Sequence, residues 1–165
     1  MTTLRDRTAQ KFHEAKILRR KDLTPELWLI WIEKPEGYAF KPGQYCTIGA
    51  EGIERPYSIV SASHEKDLEL FIELVPEPAG VLTPKLSRLK AGDSVTIRPR
   101  AKGLFTMEPG PPNQLFVATV TGVVPYVSII RDYLHHSRQG HHFYVLLGAS
   151  YHDEFAYDEE LEQLS

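Results

Sequence analysis

Glu54-Arg55-Pro56-Tyr57-Ser58-Ile59-Val60-Ser61-Ala62-Ser63 places a permanent cation, an aromatic ring and several hydroxyls between two strand-like runs, and the fold is read outward from it. Arg55 offers a planar fork matched to phosphate oxygens, Tyr57 a flat apolar face with a polar tip, and Ser58 a rotatable hydroxyl. In an extended strand Arg55 and Tyr57 share one face, while Ser58 points to the other. On Arg55-Pro56-Tyr57-Ser58 alone, a Pro-containing edge strand with an incidental Arg and Tyr is an equal reading.

The rest of the chain sets the context. Its 165 residues suffice for one domain, or one domain and part of another. Composition is that of an ordinary soluble globular protein, and a net charge of −3 gives no reason to expect a nucleic acid or a membrane surface as partner. The single cysteine, Cys46, cannot form an internal disulfide and fits a reducing cytoplasm. Its setting, Gln44-Tyr45-Cys46-Thr47-Ile48, reads as a strand with a buried thiol. Met1 to Gln10 is polar, without a secretory signal. The longest apolar run, Leu27 to Ile32, is far too short to cross a bilayer. The expectation is a cytoplasmic protein.

Taken in order, Phe12 to Arg20 reads as a strand, and Leu27 to Ile32 as a second with apolar residues on both faces, as inside a closed barrel. Gln44 to Gly49 is a third, the opening motif a fourth and Leu68 to Val75 a fifth. Thr83 then suits a helix N-cap with Pro84 at the first helical position, and Leu82, Leu86 and Leu89 form the inward edge. Ser94 to Arg98 is a sixth strand. Short strands separated by turns indicate an all-β barrel or sandwich. After the linker Met107 to Asn113 the pattern changes. Gln114 to Val120 is an apolar strand, Tyr126 to about His136 a helix, Phe143 to Gly148 a strand, and Asp153 to Leu164 helix-like. That alternation is the start of a parallel doubly wound sheet.

Five segments in order carry a family resemblance: Lys41-Pro42-Gly43-Gln44-Tyr45, Arg55-Pro56-Tyr57-Ser58, Gly80-Val81-Leu82-Thr83, Thr121-Gly122-Val123-Val124-Pro125, and Gly148-Ala149-Ser150 with Glu154-Phe155-Ala156-Tyr157 and Glu159-Glu160-Leu161. Together they resemble the ferredoxin–NADP reductase family, closest to its bacterial, FAD-binding type. The resemblance implies a six-stranded antiparallel flavin-binding barrel over residues 1–110. An incomplete parallel α/β unit, the N-terminal part of an NAD(P)-binding domain, would follow over 113–165. It implies that Arg55 pairs with the flavin phosphates, that Pro56 shapes the same strand, that Tyr57 stacks on the isoalloxazine and that Ser58 lies near N5. Tyr57 and Ser58 would then be the residues at the reacting atoms. Gly80, the amides of Val81 and Leu82 and the Thr83 hydroxyl would meet the pyrophosphate; a well-capped surface helix is the plain alternative. Gly103 matches a family glycine where barrel and second unit meet. Thr121 and Gly122 would support the nicotinamide nucleotide, NADP or NAD.

The implied activity is flavin-dependent electron transfer between NAD(P)H and a one-electron carrier such as ferredoxin or flavodoxin. FAD is the expected cofactor, with FMN as the alternative because no aromatic for an adenine stands near Val75 to Gly80. Two other readings remain: a truncated flavin-binding or regulatory subunit without its own turnover, and the reductase component of an oxygenase. Three departures matter. Val120 stands where the family usually has Gly, and Ser150 where it often has an arginine, which puts NADP preference in doubt. Only 53 residues run from Asn113 to Ser165, against roughly 100 or more for a complete nucleotide domain. His135, His136, His141 and His142 include good metal-ligand types, but adjacent imidazoles diverge, so no metal is expected.

Overall fold

The structure is a computed structural model that describes residues 12–107 and 109–164. The reading of Met1 to Gln10 lies outside the described residues. Six strands, β1 (His13–Asp22), β2 (Leu27–Glu33), β3 (Tyr45–Ala50), β4 (Ile53–Ser58), β5 (Asp67–Glu73) and β6 (Ser94–Ile97), form one antiparallel sheet. Their order is β4-β3-β6-β1-β2-β5. The two end strands approach each other where the chain leaves β4: the Val60 N–H donates to the Glu69 carbonyl at 2.9 Å. The sheet is thereby a nearly closed barrel, and β4 is an edge of its ladder, where Pro56 removes no needed donor.

The barrel interior is filled by alternate residues of the strands, among them Ile17, Trp28, Ile30, Ile48, Leu70 and Ile97, all essentially inaccessible. The outward residues of β2 and β5 are buried too. Leu27, Leu29 and Phe71 pack against Val123, Val124, Val127 and Tyr157. The two apolar faces of Leu27 to Ile32 thus have separate causes: one fills the barrel, and the other meets the C-terminal unit.

That unit contains β7 (Asn113–Thr119) and β8 (His142–Gly148), paired in parallel. Between them a 3₁₀ turn, Val120–Val123, runs into a helix, Val124–His135. The helix starts two residues earlier than the Tyr126 expected, because Pro125 is tolerated in a first turn. We label it α2; α1 is the single turn Thr83–Leu86, and α3 is Asp158–Gln163. The helical run expected from Asp153 is broken instead into a 3₁₀ turn, His152–Glu154, and α3. Tyr157, 3% exposed, lies between them and turns inward toward β5. Among the described residues no helix is long and apolar enough to cross a membrane.

Candidate functional site

A cleft of about 370 Å³ opens between the end of β4, the outer end of β5, the Ala79–Thr83 loop and the start of the β7–α2 connection. Its walls include Arg55, Pro56, Tyr57, Ser58, Gly80, Val81, Leu82, Thr83 and Thr121. Nine of the ten residues singled out for cofactor contact therefore meet in one place; Gly122 is adjacent in sequence and does not line it. Alternation puts Tyr57 and Ser58 on opposite faces of a strand, yet both reach the cleft because Ser58 is the last residue of β4.

Arg55 is exposed, and among the described residues no carboxylate pairs with it; its guanidinium donates only to its neighbour's carbonyl, Glu54 O, at 2.7 Å. By contrast Arg98 is held by both oxygens of Glu54. Tyr57 is half-buried, and burial pushes its phenol up to about 12 against the opposing pull of Arg55, so its hydroxyl stays protonated. Behind it in register stands Cys46, fully buried, whose thiol burial likewise pushes up to about 12. The cysteine is a packing residue without thiolate character. A free cation beside a half-buried aromatic face suits a ligand that is both planar and anionic, as a flavin nucleotide is.

The Gly80 loop differs in detail from expectation. α1 has Leu82 as its N-cap and no side-chain cap. The Thr83 hydroxyl instead donates to Val75 O at 3.1 Å and accepts from Val75 N at 2.9 Å, which ties the loop to the end of β5. Its proton is thus committed within the chain, leaving backbone amides as the loop's donors. Gly80 is required by the fold itself, since a Cβ there would fall 1.7 Å from Val75 O. Gly122 is different: an added Cβ would meet only Ala118 Cβ, at an ordinary 3.5 Å. Close packing within the chain does not explain that glycine. Just before it, Val120 adopts φ +42°, a left-handed conformation that a β-branched residue adopts only under strain. Gly103 lies away from the cleft in a turn at φ +110°, its carbonyl accepting from Gln44 Nε2 at 3.0 Å.

A second constellation is absent from the sequence reading. Arg131 of α2 donates to Glu69 on β5 at 2.8 Å and through two nitrogens to Glu160 of α3, at 2.7 and 2.8 Å. The Tyr157 hydroxyl donates to the other oxygen of Glu69 at 2.8 Å. Burial lowers the proton affinity of Arg131, but the Glu160 hydrogen bonds and the Glu69 charge more than reverse this. On the same helix face the Ser128 hydroxyl donates to Ser61 O at 2.7 Å, and Asp132 accepts from the Ser63 hydroxyl at 2.6 Å. These links clamp α2 to the Ser61–Glu69 segment of the barrel and so fix where the Thr121 loop stands over the cleft. The available signal was spacing: Val124, Ser128 and Arg131 fall on one helix stripe, with Val127 and Asp132 beside it.

The rings of His135 and His136 lie 5.1 Å apart, edge to face, beside His64. His135 stacks on His64 with ring centroids 3.4 Å apart, His136 Nδ1 lies 2.8 Å from Asp132 O, and His141 Nδ1 lies 3.3 Å from the Tyr133 hydroxyl. At the end of β8, Ser150 is exposed, and its backbone N–H donates to Glu154 Oε2 at 2.8 Å.

No family model matches the chain. It is 34% identical over 162 residues to ferredoxin–NADP reductase B of Sorangium cellulosum, a match covering 92% of this chain and 64% of that protein. It is 31% identical over 128 residues to reductase A of the same organism, covering 73% of this chain and 45% of the relative. Among solved structures, a ferredoxin–NADP⁺ reductase from Neisseria gonorrhoeae with bound FAD and NADP superposes with a TM-score of 0.84 at 31% identity. That match covers 94% of this chain and 64% of the other. The chain thus spans about half to two thirds of the length of these relatives.

Proposed function

The chain belongs to the ferredoxin–NADP reductase family, and from that premise we propose that it is a flavin-dependent oxidoreductase carrying FAD in the cleft at the end of β4. The observation that carries this reading is the convergence of Arg55, Tyr57, Ser58, the Gly80–Leu82 backbone and Thr121 on a single cleft. Residues 1–110 are the flavin-binding unit, and 113–165 the N-terminal part of the nicotinamide-nucleotide unit. When bound, FAD supplies hydride acceptance and the release of electrons one at a time.

The chain's own residues bind and orient. Arg55 neutralises phosphate charge with a fork not engaged by any carboxylate. Tyr57 offers its ring as a stacking surface and remains a neutral hydrogen-bond donor at physiological pH. Ser58, whose hydroxyl has no protein partner among the described residues, holds a rotatable donor at the reacting edge. Thr121 enters the cleft from the other unit and borders the place for the nicotinamide. The electrons leave to a one-electron carrier of the ferredoxin or flavodoxin type. The setting is the cytoplasm.

Titration of the purified chain with FAD, followed by quenching of flavin fluorescence, tests the reading. Arg55→Ala should weaken binding about 10- to 100-fold, the equivalent of one lost charged hydrogen bond, without lowering the melting temperature, because the side chain is exposed. Equal affinity of variant and parent would remove Arg55 from the site. Anaerobic addition of NADH or NADPH to the FAD-loaded protein should bleach the flavin absorbance; a persistent oxidised spectrum with both would leave a binder without turnover.

A further inference from the structure

Arg20, near the end of β1, does not line the cleft, yet its side chain is largely buried and fully engaged. In register it lies opposite Ile30, whose side chain fills the barrel, so Arg20 is on the same inner face. Its Nη1 donates to Leu89 O at 2.7 Å and Ser87 O at 2.8 Å, with Leu86 O at 3.3 Å. Its Nε and Nη2 lie 2.8 and 2.7 Å from Asp22 Oδ1. The guanidinium carbon stands 4.9 Å from the ring centroid of Trp28, a buried residue of β2. One cation thus joins β1 and β2 to the chain at the end of α1.

That attachment bears on the cleft because α1 is a single turn. So short a helix has no cooperative stability of its own, and what grips its two ends decides where it lies. At the start, the Thr83 hydroxyl is tied to Val75. At the finish, Leu86 and Ser87 belong to the carbonyls that a helix leaves without intrahelical partners, and a cation there also opposes the negative end of the aligned peptide dipoles. Leu82 and Leu86 pack into the barrel core between these two ties. Lys85 adds a more exposed pair with Glu51. The loop held in this way faces the cleft with Val81 and Leu82. The Gly80 N–H is spent on Pro76 O at 2.9 Å, but among the described residues the N–H groups of Val81 and Leu82 have no acceptor. Successive free amides of this kind form a concavity for an anion, and their strength falls steeply once the donor angle is lost.

We propose that Arg20 is a positioning residue for the flavin phosphates: without touching the cofactor, it fixes α1 so that the Val81 and Leu82 amides stand where phosphate oxygens arrive. This rests on the reading of the cleft as a flavin site. The test is fluorescence titration of the 165-residue chain and its variants with FAD and with riboflavin, which has the same ring system but no phosphate. Arg20→Met keeps a long apolar chain over Trp28 and removes every donor. It should weaken FAD about tenfold, the equivalent of one hydrogen bond lost from the phosphates, and leave riboflavin within twofold of the parent. At saturating FAD its absorbance and visible circular dichroism should match the parent's, because Tyr57 and Ser58 are undisturbed. Arg20→Lys keeps the charge without the fork, so its FAD affinity should fall between the two; if the methionine variant does not fold, the lysine variant carries the same comparison. Unchanged FAD affinity in both variants would overturn the inference and leave the flavin site standing. A parallel loss of riboflavin, or an altered spectrum at saturation, would overturn it too, since the whole cleft would then have loosened. A parent chain that binds neither ligand would overturn the flavin reading itself and this inference with it.

Discussion

In the barrel each inner strand face is sealed against the others, whereas the β7–β8 pair has one face in solvent. Leu115, Val117, Tyr144 and Leu146 alternate along the two strands and are between 56 and 68% exposed. Their neighbours Phe116 and Val145 are covered on the other side with Ile129 and Ile130 of α2. A two-stranded sheet with a single covered face is marginal by itself. The C-terminal unit is therefore held in shape by what α2 grips, namely the barrel, through Ser128, Arg131 and Asp132 and the apolar contacts of Val124 and Val127. One region is stable through closure and the other through attachment.

The largest effect should come from breaking the attachment. Glu69 is 4% exposed and accepts from both Arg131 and Tyr157. Arg131→Met leaves that carboxylate buried without its cation and should cost about 3–5 kcal/mol. In amide hydrogen exchange the loss should fall on α2, β7 and β8, with protection of β1, β2 and β5 retained. Equal loss throughout would mean that barrel and attachment unfold as one unit, and the comparison would fail. Glu69→Gln, whose amide oxygen can still accept from Arg131 while its Nε2 donates to the Tyr157 hydroxyl, should cost distinctly less.

Alkali probes the closed region. Cys46 and Tyr57, neighbours across β3 and β4, ordinarily lose their protons near 9.0 and 10.0, but in the fold both hold them to about 12. Between these values the folded state binds more protons than the unfolded chain. Their contribution to stability is thus complete below about pH 9 and declines as pH rises toward 12. By pH 10 the loss should be on the order of 1–2 kcal/mol, read as a falling urea midpoint. Cys46→Ala should remove most of the decline between pH 9 and 10. A midpoint equally pH-dependent in that variant would place the titrating group elsewhere, the first candidate being Tyr157, whose phenol burial and the Glu69 charge also push upward.

How much of this was legible in the sequence varies with range. The barrel strands announced themselves because alternation and turn residues are local properties, and the Arg55-Pro56-Tyr57-Ser58 stretch could be placed at their edge because Pro56 lacks a donor. The role of Thr83 could not be read: a threonine before a proline has the form of a cap, and only the loop's return to Val75 diverts its hydroxyl. Glu69 was equally opaque. A glutamate in an apolar strand reads as solvent-facing until the arginine that neutralises it, 62 positions later, folds over it. Tyr157 broke an expected helix for the same reason. Long-range polar partnerships leave no periodic trace except on the helix that supplies them.

The smallest effect concerns the connection between the two regions. Val120 stands at φ +42° directly before Thr121, and its side chain packs among Leu27, Val123 and their neighbours. Truncation to alanine loses that packing but keeps a Cβ that opposes the left-handed conformation; glycine loses the same packing and removes the opposition. Val120→Gly should accordingly be more stable than Val120→Ala by about 1 kcal/mol, the reverse of the usual order, in which glycine is the worse by about 0.5–1 kcal/mol. Thermal unfolding of the two variants measures the difference. Alanine equal to or better than glycine would mean that the connection is unstrained. The predicted order would instead locate strain at the residue that leads from the attached sheet into the cleft, where strained backbone tends to accompany binding.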